Sequence, residues 1–541
     1  MLVLTLGQSV TGAARAEAAT GYVPIAGAGS TWSENALDQW IRDVQPLGMR
    51  VSYAGTGSTD GRDEFINGTV DFAASDIPFQ TDPTDGSAPE DPTAGSYAYM
   101  PITAGGTAFM YNLEIDGQRV TNLRLSGENI TKIFTGVITN WDSPLIAADN
   151  PGLKLPNLPV VPVVRSDGAG DTFELTQWMI SQSPSLWNAY CQAAGRAPAC
   201  GPTSFYPTIT GMIGQSGDLG VAGYVSQSYA DGAIGYVNYS YALNAGFPVA
   251  LMLNSAGYYT EPTPQNVAVS LEAAQVDTWD VNNPALYLTE QLQGVYTDAD
   301  PRTYPLSSYS YLILPTTVQG QFTQAKGNTL AAFSYYAMCQ GQQESAGLGY
   351  SPMPMNLVEA AFNQIAKIPG AVVQNINIES CNNPTFASSQ GPDANLLAET
   401  APYPPACDKQ GSAQCSTGTG GAANVATATN RPSGGETTQS AGSGVAASGS
   451  SALGASSEAS SCPSSTAGTI CATQQSSAPS ANAVSIDRDP VETPYTLAAA
   501  HDWLTTATSV GVLLGLLALV LVPGLAVYWA RRRGGPGGEL P

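Results

Sequence analysis

The sequence predicts an α/β fold, followed by a polar tether and a membrane-spanning helix. Short β-branched strands alternate with glycine-rich turns and helices through the first part of the chain, the pattern of a sheet that takes ligands at its strand ends. GAGSTW, AGTGSTDG and RSDGAGDTF each carry that strand-turn-helix pattern. Towards the C-terminus the composition shifts to Ser, Ala, Gly and Thr, and then to an apolar run closed by arginines.

Residues 1–19 are expected to be the remnant of an export signal, with a short apolar run and a small-x-small site at Ala16-Glu17-Ala18, although a basic first segment is missing. Tyr22 to Gly29 is a strand, after which Ala36, Leu37, Trp40, Ile41 and Val44 mark one face of a helix whose cap positions hold Ser30 and Thr31. Val51 to Tyr53 is a second strand, followed by the turn AGTGSTDGRDEF and a short helix to Ile66. Val70 to Ala74 is a third strand, ending in Ser75-Asp76-Ile77-Pro78.

The stretch Val163 to Met179 ends a strand with Arg165, turns through Gly168 and Gly170, and enters a helix with Leu175, Trp178 and Met179 on one side. Such a corner suits an anion. Helix-opening N–H groups have no intrahelical partners, the helix dipole adds partial positive charge, and glycine admits a ligand oxygen to the backbone. Arginine supplies a planar fork that stays charged. A Walker-type loop, G-x-x-x-x-G-K-[ST], does not occur.

Charged residues make up 11% of the 541 residues, with a formal net charge of −24. A nucleic-acid partner would need a basic footprint that this chain lacks. A small anion is not excluded, because a few local dipoles and a cation can hold it while surface charge is screened beyond roughly 8 Å.

The eight cysteines fall in sequence-adjacent couples, Cys191 with Cys200, Cys339 with Cys381, Cys407 with Cys415, and Cys462 with Cys471. In an exported chain an even count favours disulfides, and the absence of any C-x-x-C weakens metal ligation. The only histidine, His501, precedes the apolar segment, so Ser-His-Asp and Cys-His schemes are not available in the region before it. Val510 to Ala530 is long enough to span a hydrocarbon core of about 30 Å, and Arg531, Arg532 and Arg533 put the C-terminus in the cytoplasm by the positive-inside rule.

In order and spacing, GAGSTW, AGTGSTDG, VDFAASDIP and RSDGAGDTF resemble the phosphate-binding proteins of ABC-type phosphate uptake systems, as do IFTGVITNWDSP, NPGLKLP, GAIGYVNYSYA and YPLSSYSYLIL. The resemblance runs from about Tyr22 to Cys381. It implies a two-lobed, periplasmic-binding-protein-like fold of type II over residues 20–382, with hinge strands and the ligand buried between lobes. Residues 20–105 and 300–382 would form one lobe and 106–299 the other. A disordered Ser/Gly/Ala-rich tether (383–503), a transmembrane helix (504–531) and a cytoplasmic tail (532–541) would follow.

Carried over residue by residue, the resemblance places on the phosphate the Thr31 hydroxyl, the N–H groups of Thr31 and Trp32, and the Ser58 hydroxyl and N–H. Trp32 stands where the family usually has phenylalanine. Asp76 would accept a hydrogen bond from a protonated phosphate oxygen and so reject sulfate, which has no proton to donate. Arg165 would supply the cation, oriented by Asp167. Where the family pattern has Gly-Ser-Gly-Thr, this chain has Gly168-Ala169-Gly170-Asp171, which keeps backbone donors at Ala169, Gly170 and Asp171 but removes hydroxyls. With Glu174 three residues on, Asp171 is expected to cap its helix and compete for the N–H groups a phosphate would use.

The implied partners are inorganic phosphate, an ABC permease and the membrane; no cofactor and no enzymatic activity are implied. A surface adhesion or structural protein with the same fold and a weakened cleft is the competing expectation, ahead of a binder of another protonated oxyanion.

Overall fold

A computed structural model describes residues 21–386, 391 and 394–428. The first lobe opens with β1 (Ile25–Gly29), α1 (Glu34–Val44), β2 (Val51–Gly55), α2 (Ser58–Ile66) and β3 (Phe72–Ser75). On α1 the buried residues are Ala36, Leu37, Trp40, Ile41 and Val44, so the apolar spacing read from the sequence is the face that packs inward. The long strand β4 (Tyr97–Tyr111) is buried at every position, which suits a central strand covered on both faces.

The second lobe contains β5 (Val161–Arg165), α3 (Gly170–Gln182), β6 (Ile213–Gln215), α4 (Gly217–Val225), β7 (Ala233–Asn238) and α5 (Tyr239–Ala245). The chain returns through β8 (Ser307–Pro315) and α6 (Gln324–Met338).

These strands form an eight-stranded mixed sheet in the order β2-β1-β3-β8-β4-β7-β5-β6. Parallel strands β2, β1 and β3 lie at one end and parallel β7, β5 and β6 at the other. Antiparallel β8 and β4 join them. Along β4 the partner changes from β8 to β7 between Gly106, opposite Ser307, and Thr107, opposite Asn238. A Cβ at Gly105 would lie 2.8 Å from the Trp32 ring and one at Gly106 would lie 2.3 Å from Pro262, so the crossing has room only for glycine. A bulge between Ser310 and Tyr311 resets the register of β8.

Disulfides join Cys191 to Cys200, Cys339 to Cys381, and Cys407 to Cys415. Cys462 and Cys471 lie outside the described residues, as do the expected signal (1–19), membrane span (504–531) and tail (532–541). No described helix is long and apolar enough to cross a membrane.

The expected start of the tether at residue 383 is corrected. Residues 394–428 carry a short helix, Leu396–Glu399, and pack against the protein, chiefly on its second lobe. Buried Arg124 donates to the Cys407 carbonyl, to the Ser412 carbonyl at 2.9 Å and to the Asp408 carboxylate at 2.9 Å. Thr419 donates its N–H and hydroxyl to the Thr121 carbonyl and accepts from the Val249 N–H at 3.1 Å, and the Gly420 N–H donates to Glu261 at 3.2 Å. Composition suggested a segment too polar to pack, but docking here runs largely through hydrogen bonds, including two guanidiniums, Arg124 and Arg302, with small buried alanines such as Ala398, Ala401 and Ala422.

Candidate functional site

Four helices, α1, α2, α3 and α4, begin beside one another where the two ends of the sheet face each other. Gly57 precedes α2 with φ 98°, and a Cβ there would lie 2.7 Å from the Asp167 carboxylate. The Thr59 N–H donates to the Gly168 carbonyl at 3.0 Å, so α2 starts against the loop after β5. A Cβ on Gly170 would lie 2.7 Å from Asp76 Cβ and 2.9 Å from Ser58 Oγ. Glycine is therefore what lets α3 approach the first lobe.

Asp76 is 2% exposed and accepts hydrogen bonds from Ser30 at 2.7 and 2.8 Å, Ser58 at 3.0 Å and Ser310 at 2.8 Å. Burial pushes its pKa up, the three hydroxyls pull it back, and nearby Asp218 pushes it up again. The Ser30 oxygen also accepts from the N–H groups of Trp32 at 3.1 Å and Ser33 at 3.4 Å. Trp32 N–H, expected on the ligand, is thus already engaged by a neighbouring hydroxyl.

Arg165, 2% exposed, gives Nε to Asp167 Oδ1 at 2.9 Å and Nη2 to Asp167 Oδ2. This two-point contact orients the guanidinium. Nη1 donates to both Asp171 oxygens at 3.1 Å and to Asp218 Oδ2 at 2.6 Å. Burial works against the charge on Arg165, but Asp171, Asp218 and Asp167 outweigh it and hold the guanidinium protonated.

The capping role expected of Asp171 is corrected. The cap position of α3 is Ala169, which contributes no side-chain hydrogen bond, and Asp171 is the second residue of the helix. Its carboxylate turns to Arg165 and accepts from the Thr172 N–H at 2.8 Å. The guanidinium is a stronger partner than a helix-end amide, which explains the preference. Burial pushes the Asp171 pKa well up, with Arg165 opposing and Asp218, Asp76 and Asp167 adding to the rise. Ala169 is buried, and its N–H donates to the Ser204 carbonyl at 3.0 Å.

Asp218 was not anticipated from the sequence. It lies in the first turn of α4, is fully buried, and accepts from the Thr31 hydroxyl at 2.6 Å, Arg165 at 2.6 Å and the Asn238 N–H at 2.6 Å. Its own N–H donates back to Thr31 Oγ1 at 3.1 Å, and Tyr241 OH donates to the Thr31 carbonyl at 2.6 Å. The available signal was QSGDLG, a further strand-glycine-helix junction. Ser30 and Ser310 also join the site beyond the expected set. One guanidinium thus faces three carboxylates, with the Asp76 carboxylate on the neighbouring hydroxyls.

On α3, Glu174 is buried, and Glu290 beside it is half-buried. Burial and the Asp76 charge push Glu174 up to about 8, while burial and Glu174 push Glu290 well above the carboxylate range. A cavity of about 390 Å³ between Ala104, Leu271, Tyr309 and Leu357 does not include Thr31, Asp76 or Arg165 in its walls. The described residues hold no group of His, Cys, Asp and Glu fit for a metal ion.

Residues 13–340 match the model of the PBP superfamily domain. The phosphate-binding protein PstS of Xylella fastidiosa (strain Temecula1) is 28% identical over 343 residues, which cover 63% of this chain and 84% of that protein. The phosphate-binding protein PstS 2 of Mycobacterium tuberculosis is 28% identical over 348 residues, covering 62% of this chain and 86% of its own length. A solved high affinity periplasmic phosphate-binding protein, bound with phosphate, aligns with a TM-score of 0.48 at 18% identity, covering 65% of this chain and 100% of that one. With its two-lobed mixed sheet and a family match that takes in both lobes, the chain belongs to the PBP superfamily.

Proposed function

We propose that the chain is an extracytoplasmic, membrane-tethered binding protein that captures inorganic phosphate between its lobes and delivers it to an ABC permease. The observation that supports this reading is the convergence of Thr31, Ser58, Asp76 and Arg165 at one buried point between four helix openings. Hydroxyls, helix-end amides and a guanidinium are donors for oxyanion oxygens, and Asp76 is an acceptor that only a protonated oxyanion satisfies. Phosphate at neutral pH carries such a proton and sulfate does not. Relatives named as phosphate-binding proteins support the same ligand. The apolar run Val510–Ala530 with its following arginines supports the anchor.

Calorimetric titration of the full-length chain with phosphate and with sulfate tests the reading, with heat expected for phosphate alone. A second reading, a structural or adhesive protein that keeps the fold with a filled cleft, is favoured by Asp171 and Asp218 both sitting on Nη1 of Arg165. Silence with both anions would select it.

A further inference from the structure

The phosphate reading has a charge problem, and its resolution names the ligand more closely. Nη1 of Arg165 is shared by Asp171 and Asp218, while the other two nitrogens of the guanidinium are held by Asp167. The Thr31 hydroxyl donates to the same Asp218 oxygen that Arg165 reaches, both at 2.6 Å. An oxyanion held by Thr31 and Arg165 must therefore put an oxygen against Asp218. Asp76 stands across from it on the first lobe, fixed by the hydroxyls of Ser30, Ser58 and Ser310.

Two carboxylates facing one tetrahedral anion repel it unless each accepts a hydrogen bond from one of its hydroxyls, since an ionised carboxylate only accepts. We propose that the cleft selects the doubly protonated phosphate monoanion, donating one hydroxyl to Asp76 and the other to Asp218, with Asp218 as the determinant of protonation state. The two unprotonated oxygens remain for Arg165 and the helix-opening amides. Phosphate with a single proton leaves Asp218 facing a bare oxygen, in a site that already sets one guanidinium against Asp167, Asp171 and Asp218. This inference rests on the phosphate reading and narrows it.

The groups that face Asp218 do not offer another source of compensation. Arg165 comes from β5, Asp167 from the loop after it, Asp171 from α3, and Glu34 from α1; Asp76 lies across the cleft. Tyr241 and Tyr350 are neutral phenols on the remaining sides, both held above the ordinary tyrosine range, first by burial and then by Asp218 among other charges. Arg165 is the one cation in this set.

The test is the pH dependence of phosphate affinity in the full-length chain, titrated with inorganic phosphate from about pH 5 to about pH 8. Wild-type affinity is expected to fall as phosphate loses its second proton, approaching tenfold for each further pH unit. Asp218→Asn keeps an acceptor oxygen for the Asn238 N–H and adds a donor for a bare ligand oxygen. It is expected to flatten the slope, so that its affinity relative to wild type rises severalfold between about pH 5 and about pH 8. Parallel slopes in the two proteins overturn the proposal, as does uniformly weaker binding by the variant. Asp171→Asn is the companion variant, and a slope flattened by it alone assigns the second proton to Asp171 and overturns the role of Asp218. Phosphate binding that is level with pH in wild type sinks this inference and leaves the phosphate reading standing. No binding by any of the three proteins at any pH sinks both.

Discussion

Replacing Asp171 with threonine is the sharpest test of how the cleft manages its charge. The carboxylate is fully buried and donates nothing; it accepts from Arg165 at 3.1 Å and from the Thr172 N–H at 2.8 Å. Losing a charged hydrogen bond costs about 1.5–3 kcal/mol. Against this, the desolvation penalty of a buried carboxylate, several kcal/mol, disappears with it. Arg165 is not orphaned, because Asp167 and Asp218 remain. The two effects nearly cancel, so Asp171→Thr should stay within about 1 kcal/mol of wild type at neutral pH. Because the folded pKa of Asp171 is raised, its contribution to stability is complete below the ordinary aspartate range and is lost as pH rises through the folded value. The variant should therefore gain on wild type as pH rises, which chemical denaturation at several pH values would reveal. Binding should tighten. Two like charges about 4 Å apart repel by about 4 kcal/mol at an effective dielectric of about 20, and a third of that is already tenfold in affinity. A hydroxyl donor is added as well. If calorimetry instead shows weaker phosphate binding, Asp171 is a working ligand for a phosphate proton; if denaturation shows a loss above about 3 kcal/mol, Asp171 is an indispensable partner of Arg165.

Asp76→Asn should lose discrimination against sulfate more than it loses phosphate affinity, since an amide can donate where the carboxylate only accepts; competition titrations with the two anions measure this. Glu174, pushed up to about 8 by burial, contributes stability that is complete below the ordinary glutamate range and lost as pH rises through that value. Glu174→Gln should accordingly be more stable than wild type above about pH 8, on the order of 2 kcal/mol given its coupling to Glu290, with the advantage vanishing towards acid. Ending the chain at Asn382 should cost about 3–5 kcal/mol, because buried Arg124 loses Asp408 and both carbonyls, whereas ending it at Ala428 should leave the melting temperature unchanged.

The parts of the site that were legible in the sequence are those whose partners are near in the chain. Arg165 and Asp167 are two residues apart, and the helix face of α1 repeats every three or four residues. Ser310 reaches Asp76 across 234 positions, and it does so beside a bulge that no composition or period announces. Asp218 meets Thr31 across 187 positions. Its junction had the right grammar, but an acidic residue at a helix start reads locally as a dipole partner, and only the closed fold turns it towards Arg165. Asp171 was misjudged for the same reason. The segment 394–428 escaped notice because hydrogen bonds to backbone groups from distant side chains such as Arg124 leave little trace in composition.

That segment also decides where a pull on the C-terminus is felt. The Ala428 N–H is fastened to the Arg119 carbonyl, and the strap behind it is pinned by Thr419 and Asp408 and stapled by Cys407–Cys415. All of these grips belong to the chain just beyond β4, so tension from the C-terminal side enters the second lobe and bypasses the first. With one lobe held against a surface, the first lobe becomes the part free to swing.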